Sequence, residues 1–121
     1  MAEADTTQPP VLSPEDVAAQ LEDGSTQLVD VRTDAEHEAG RIAGARHIPI
    51  ERLSNEADQQ LDRSRTLVLY CHAGDRSGTA AEAFRSSGWE AYSLEGGIAA
   101  WQEAGRPVEG EVVTKSGLPP P

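Results

Sequence analysis

Apolar residues along this chain fall into short runs separated by amphipathic stretches, and the two patterns alternate. Ser13 followed by Pro14 marks a helix start, because a capping hydroxyl precedes a proline at the first helical position. Val17, Ala18 and Leu21 then share one face, and Gly24 closes the helix. QLVDVR (27–32) is a compact strand-type run, and the acidic stretch 33–39 permits a helix before Gly40 and Gly44 break the chain. ARHIPI (45–50) predicts a second strand, and Leu53, Ala57 and Leu61, spaced by four, predict a helix over 51–61. TLVLY (66–70) is apolar throughout, the pattern of a central parallel strand covered on both faces.

A polar loop, CHAGDRSG (71–78), follows that strand. Ala80, Ala81, Ala83 and Phe84 predict a helix over 79–87, starting near Ser77 and closed by Gly88, with small residues that let it lie close on a sheet. WEAYSL (89–94) reads as the last strand, Gly96 and Gly97 as a turn, and 98–103 as a short helix stopped by Gly105 and Pro107. Alternating strands and helices predict an α/β fold with a mainly parallel central sheet flanked by helices. The ends are rich in proline and lack periodicity, so residues 1–10 and 108–121 read as flexible tails around one domain at 11–107.

Charge narrows the function classes. Ten Lys and Arg against 21 Asp and Glu give a net charge of -11, which opposes nucleic-acid backbones and anionic lipid. No apolar run is long enough for a membrane span, and the opening MAEADTTQPP lacks the basic and apolar regions of a secretory signal, so a soluble cytoplasmic protein is expected. The three histidines share no ligand spacing, and no metal or other cofactor is expected. Cys71 is the only cysteine, which excludes an internal disulfide and leaves no second thiol to resolve an oxidised sulfur.

Candidate chemistry gathers at Cys71. A cysteine at the carboxyl end of a buried strand, just before a helix start, meets unpaired backbone N–H groups and the positive end of a helix dipole, both of which favour a negative sulfur. Gly74 permits the tight curvature that turns successive N–H groups inward, and Arg76 offers a guanidinium fork for an oxyanion. The plainer alternative is a small buried hydrophobe beside a surface arginine.

Three segments carry a family resemblance. LVDVRTDAEHEAGRIAGARHIP (28–49) resembles the first signature of rhodanese-like domains, LVLYCHAGDRSGTAA (67–81) their active loop Cys-x-x-Gly-x-Arg-Ser, and LEGGIAAW (94–101) their closing Leu-x-Gly-Gly-x-x-x-Trp. The resemblance implies a sulfurtransferase that carries sulfur as a persulfide on Cys71, between a small-molecule donor such as thiosulfate and a thiol or protein acceptor. It implies that backbone N–H groups of His72, Ala73, Gly74, Asp75, Arg76 and Ser77 cradle the outer sulfur, that Arg76 orients an anionic donor and that Ser77 caps the next helix. Asp30 and Arg32 would support the loop from the neighbouring strand; the competing reading is a structural ion pair of Arg32 with Glu36.

Departures from the family pattern are Arg41 where a histidine is usual, His37 where an aromatic is common, and Asp75, whose charge inside the loop opposes a dianionic donor. Two rival functions remain. A cysteine phosphatase or arsenate reductase also holds an oxyanion in a Cys-to-Arg loop, but a longer one; only His72, Ala73, Gly74 and Asp75 separate Cys71 from Arg76 here. A non-catalytic binding module of the same fold would more often lack the cysteine.

Overall fold

The computed structural model describes residues 10–112. Its elements run, in chain order, β1 (Val11–Leu12), α1 (Pro14–Asp23), β2 (Thr26–Asp30), α2 (Asp34–Ala39), β3 (Gly40–Arg41), β4 (Arg46–His47), α3 (Ile50–Gln60), β5 (Thr66–Tyr70), α4 (Asp75–Ser86), β6 (Ala91–Leu94), α5 (Gly97–Glu103) and β7 (Glu109–Gly110). Five strands form one parallel sheet in the order β1-β6-β5-β2-β4, with β5 at its centre. A separate antiparallel pair joins β3 to β7.

The centre of the sheet follows from the apolar run. Along β5, Leu67 and Leu69 face a core with Leu53, Ala57, Ala80, Ala81 and Phe84, contributed by α3 and α4. Val68 and Tyr70 face the opposite core with Val17, Ile98 and Trp101, contributed by α1 and α5. A strand covered on both faces needs no polar alternation, and the parallel ladder needs a helical crossover on each side. Burying Leu67, Val68 and Leu69 completely is worth about 1.5–3 kcal/mol for each side chain.

The caps agree with the sequence at α1. Ser13 Oγ accepts from the Asp16 amide at 3.1 Å, and Gly24 takes the left-handed conformation at φ 77°. At α2 a capping box forms: Thr33 accepts from the Glu36 amide while the Glu36 carboxylate accepts from Thr33.

Several boundaries differ from the sequence reading. The predicted strand at 45–50 shrinks to Arg46–His47, because Ile48 and Ile50 turn their amides to the carbonyls of Asp30 and Val31 and the chain then enters α3 at Pro49. β6 starts at Ala91, leaving Trp89 as a core side chain ahead of it. α4 starts at Asp75, two residues before Ser77, since Gly74 at φ 109° already turns the chain into the helix. A flexible tail from residue 108 does not fit the described chain. Glu109–Gly110 pair with Gly40–Arg41, Glu111 donates to the Ala39 carbonyl at 2.6 Å, and Val112 is buried. The expectations for residues 1–9 and 113–121 lie outside the described residues. Among the described residues no helix is long and apolar enough to cross a membrane.

Candidate active site

Cys71 leaves the carboxyl end of β5 with its side chain almost fully buried. The loop curls back around its sulfur. The Gly74 amide donates to Sγ at 3.1 Å, and the Ser77 amide and hydroxyl lie at 3.5 Å. Three donors converge on one atom because Gly74 adopts a φ of 109°, which residues with a Cβ rarely do, and sends the chain straight into the first turn of α4. Sγ therefore sits where α4 exposes its unpaired N–H groups, with the dipole of a twelve-residue helix behind them.

The loop is fixed from outside by α5. Ile98 donates its amide to the Cys71 carbonyl and Ala99 to the His72 carbonyl, each at 3.0 Å. That contact depends on Gly97, at φ 64°, where a Cβ would overlap both carbonyls. Gly97 is thus more than part of the predicted turn, because it lets α5 approach the Cys71 loop.

Ser77 does more than begin a helix. Its hydroxyl lies 2.7 Å from the Ser93 hydroxyl on β6, and both serines are buried. Ser93 escaped the sequence reading, because a serine in the middle of a strand gives no signal until the strand is paired beside β5. Ser77 does not cap α4 with its side chain; Gly74 occupies the cap position.

Arg76 is turned towards α2. Its two terminal nitrogens each lie 3.2 Å from one oxygen of Glu36, a two-pronged pair in which the arginine side chain is 38% exposed and the glutamate 23%. Burial opposes ionisation of Glu36, but the bonds from Arg76 and Thr33 outweigh it and hold the carboxyl below its usual range. The same bonds from Glu36 raise the Arg76 guanidinium above its ordinary value against the opposing effect of burial. Asp75 is exposed at the start of α4, His72 is half-buried and Ala73 is exposed.

Asp30, paired with Tyr70 at the end of β5, and Arg32 just after β2 are both wholly buried. Arg32 pairs with Asp30, not with Glu36: Nε lies 2.9 Å from Oδ1 and one terminal nitrogen 2.8 Å from Oδ2. That nitrogen also donates to the Gly40 carbonyl at 2.6 Å, tying the start of β3 to the end of β2. The spacing of four that suggested Glu36 fails because Arg32 stands before the helix, whereas Glu36 lies inside it. Asp30 accepts in addition from the Tyr70 hydroxyl at 3.2 Å and His37 Nδ1 at 2.8 Å. Burial works against the Asp30 charge, yet the bonds from Arg32 and His37 keep its carboxyl below the usual range. Burial, then the neighbouring Asp30 charge, pushes the Tyr70 phenol far above its usual value, so Tyr70 stays protonated and donates. The His37 and His47 rings stack 4.2 Å apart, and His47 Nε2 reaches the Arg32 carbonyl at 2.9 Å. Among the described residues no group of three or more His, Cys, Asp or Glu side chains is gathered to hold a metal.

Two backbone amides and one hydroxyl thus point at a buried cysteine sulfur at a parallel strand's carboxyl end, an arrangement that can hold negative charge there. The chain belongs to the rhodanese-like domain family, whose model matches residues 13–104. It is 41% identical over 76 residues to the uncharacterized protein YqhL of Bacillus subtilis, covering 62% of this chain and 60% of that one. It is 36% identical over 94 residues to the thiosulfate sulfurtransferase GlpE of Shewanella oneidensis, covering 77% of this chain and 92% of GlpE. The rhodanese-like domain of Alr3790 from Anabaena superposes with a TM-score of 0.74 at 35% identity, over 84% of this chain and 79% of that one. The chain thus spans nearly all of GlpE but less than two thirds of YqhL.

Proposed function

We propose that this domain is a sulfurtransferase that moves a sulfane sulfur from an anionic donor such as thiosulfate to a thiophilic acceptor through a persulfide on Cys71. The observation that carries the reading is the convergence of the Gly74 amide, the Ser77 amide and the Ser77 hydroxyl on Sγ. Donors aimed at a buried sulfur stabilise it when it is negative, and the same loop can cradle a negative outer sulfur once one is attached. The likeness to GlpE, a thiosulfate sulfurtransferase, supports the same class.

In the first half-reaction the Cys71 thiolate attacks the outer sulfur of thiosulfate. The Sγ–S bond forms, the donor S–S bond breaks, and sulfite leaves with the electron pair. In the second, an acceptor thiolate or cyanide attacks the outer sulfur, and Cys71 departs as a thiolate. Because Cys71 is the sole cysteine, the persulfide meets no internal thiol and waits for an external acceptor. We place the reaction in the cytoplasm, where reducing conditions keep a lone cysteine as a thiol.

Intact mass spectrometry after incubation with thiosulfate tests the reading. A gain of one sulfur atom, removed by a thiol reductant and absent in Cys71→Ser, is the expected result. Unchanged mass in the folded protein would contradict it.

A further inference from the structure

We propose that Glu36 determines donor specificity: by holding Arg76 it withholds the loop's cation from a dianion and sets the site for a sulfane donor with one negative charge and an apolar body. The inference rests on the sulfurtransferase reading above and names the substrate class that the same site prefers.

Two independent observations meet at Arg76. The first is charge. Both terminal nitrogens of Arg76 are engaged by the two oxygens of Glu36, which neutralises the cation nearest the sulfur. Asp75, the adjacent residue, is an exposed carboxylate in the first turn of α4. The loop and its brace therefore present a net negative charge, and a doubly negative donor must enter against it. Arg32 offers no substitute, since it is buried and committed to Asp30.

The second observation is shape. A groove of about 500 Å³ opens between α3 and α4, and Asp75 and Arg76 form its end at the active loop. Its walls are mainly apolar, with Ile50 and Leu53 from α3 and Ala80, Ala83 and Phe84 from α4 beside the hydroxyl-bearing Ser54 and Thr79. The groove meets the loop through Asp75 and Arg76, and two of its lining side chains, Leu53 and Ala80, also pack in the core that holds Cys71. Thiosulfate has no apolar part to place there, whereas an aryl or alkyl group beside the sulfane sulfur would displace water from these walls. The occupant is thus the apolar body of the donor, its sulfane end at the loop.

Benzenethiosulfonate is the matched probe, because it replaces one charged oxygen of thiosulfate with a phenyl ring and keeps the sulfonyl–sulfur bond. The Cys71 thiolate attacks its outer sulfur, the sulfur–sulfonyl bond breaks, and benzenesulfinate leaves with the electron pair; total charge is conserved. Steady-state rates of thiocyanate formation from each donor, with cyanide as acceptor, are measured for the wild-type protein, Glu36→Gln and Ala83→Glu. Thermal unfolding of each variant verifies that it is folded.

The wild-type protein is expected to show a kcat/KM at least tenfold higher for benzenethiosulfonate than for thiosulfate. Glu36→Gln keeps the shape but removes the charge, and is expected to lower KM for thiosulfate severalfold with little change in kcat. Ala83→Glu is expected to lower kcat/KM for benzenethiosulfonate more than for thiosulfate. Equal use of both donors by the wild-type protein, or an unchanged donor ratio in both folded variants, overturns the inference and leaves the sulfurtransferase reading standing. A higher kcat/KM for thiosulfate than for benzenethiosulfonate overturns the inference alone, and failure of both donors to add sulfur to Cys71 of the folded wild-type protein overturns both readings.

Discussion

Gly97→Ala isolates the contact that holds the active loop in shape. A Cβ at this position would lie 2.5 Å from the Cys71 carbonyl oxygen and closer still to that of His72, whereas ordinary van der Waals contact begins at 3.4 Å. The loop must retreat by about 1 Å, a displacement that costs on the order of a hundredfold in rate when it moves a reacting group. Stability falls as well. The left-handed φ of 64° costs alanine about 1–2 kcal/mol, and the amide bonds from Ile98 and Ala99 to the loop are worth about 1 kcal/mol each. The expected loss is about 3–4 kcal/mol, a large share of the 5–15 kcal/mol that typically separates folded from unfolded domains. Gly105→Ala is the internal control, because its φ of 79° carries the same backbone strain but nothing lies within 4 Å of the new methyl group. Denaturant unfolding with intact-mass measurement of sulfur loading would separate the two. Gly105→Ala should lose about 1–2 kcal/mol and load at the normal rate. Equal stability and equal loading in the two variants would show that the approach of α5 does not govern the loop.

Asp30→Asn leaves the buried Arg32 cation without its counter-charge and should destabilise the domain by about 3–5 kcal/mol, read by denaturant unfolding. The Asp30 carboxyl is held below its unfolded value of 3.8, so its stabilisation is complete above that pH and is lost as pH falls through the lower folded value. The steep acid-side loss of stability should therefore flatten in Asp30→Asn. Tyr70→Phe removes the acceptor of the buried Ile42 amide and should cost about 1–3 kcal/mol while leaving sulfur loading possible, as thermal unfolding and mass spectrometry would report. Cys71→Ser should abolish sulfur loading with the fold retained, checked by intact mass and circular dichroism.

Local signals carried much of the architecture. Ser13 with Pro14 and the αL glycine at 24 bound α1, and the uniformly apolar 66–70 run is the central strand, because a strand buried on both faces leaves no other pattern. Placement of Cys71 at that strand's end follows from the run alone. What the sequence left out depends on pairing across the fold. Arg76 meets Glu36, forty residues away, only once α2 and α4 are brought together above the sheet, and Ser93 reaches Ser77 only because β6 lies beside β5. The short β7 was hidden for the same reason: two residues without periodicity become a strand solely because β3 offers them a partner.

The covalent carrier is the central claim, and a single separation tests it. The protein is incubated with thiosulfate, passed through a desalting column to remove the donor, and then given cyanide while thiocyanate is measured. A persulfide held on Cys71 by the inward N–H groups of its loop predicts near-stoichiometric release of thiocyanate from the separated protein. No thiocyanate after separation, despite turnover when donor and cyanide are present together, would mean direct transfer between the two substrates and would contradict the account.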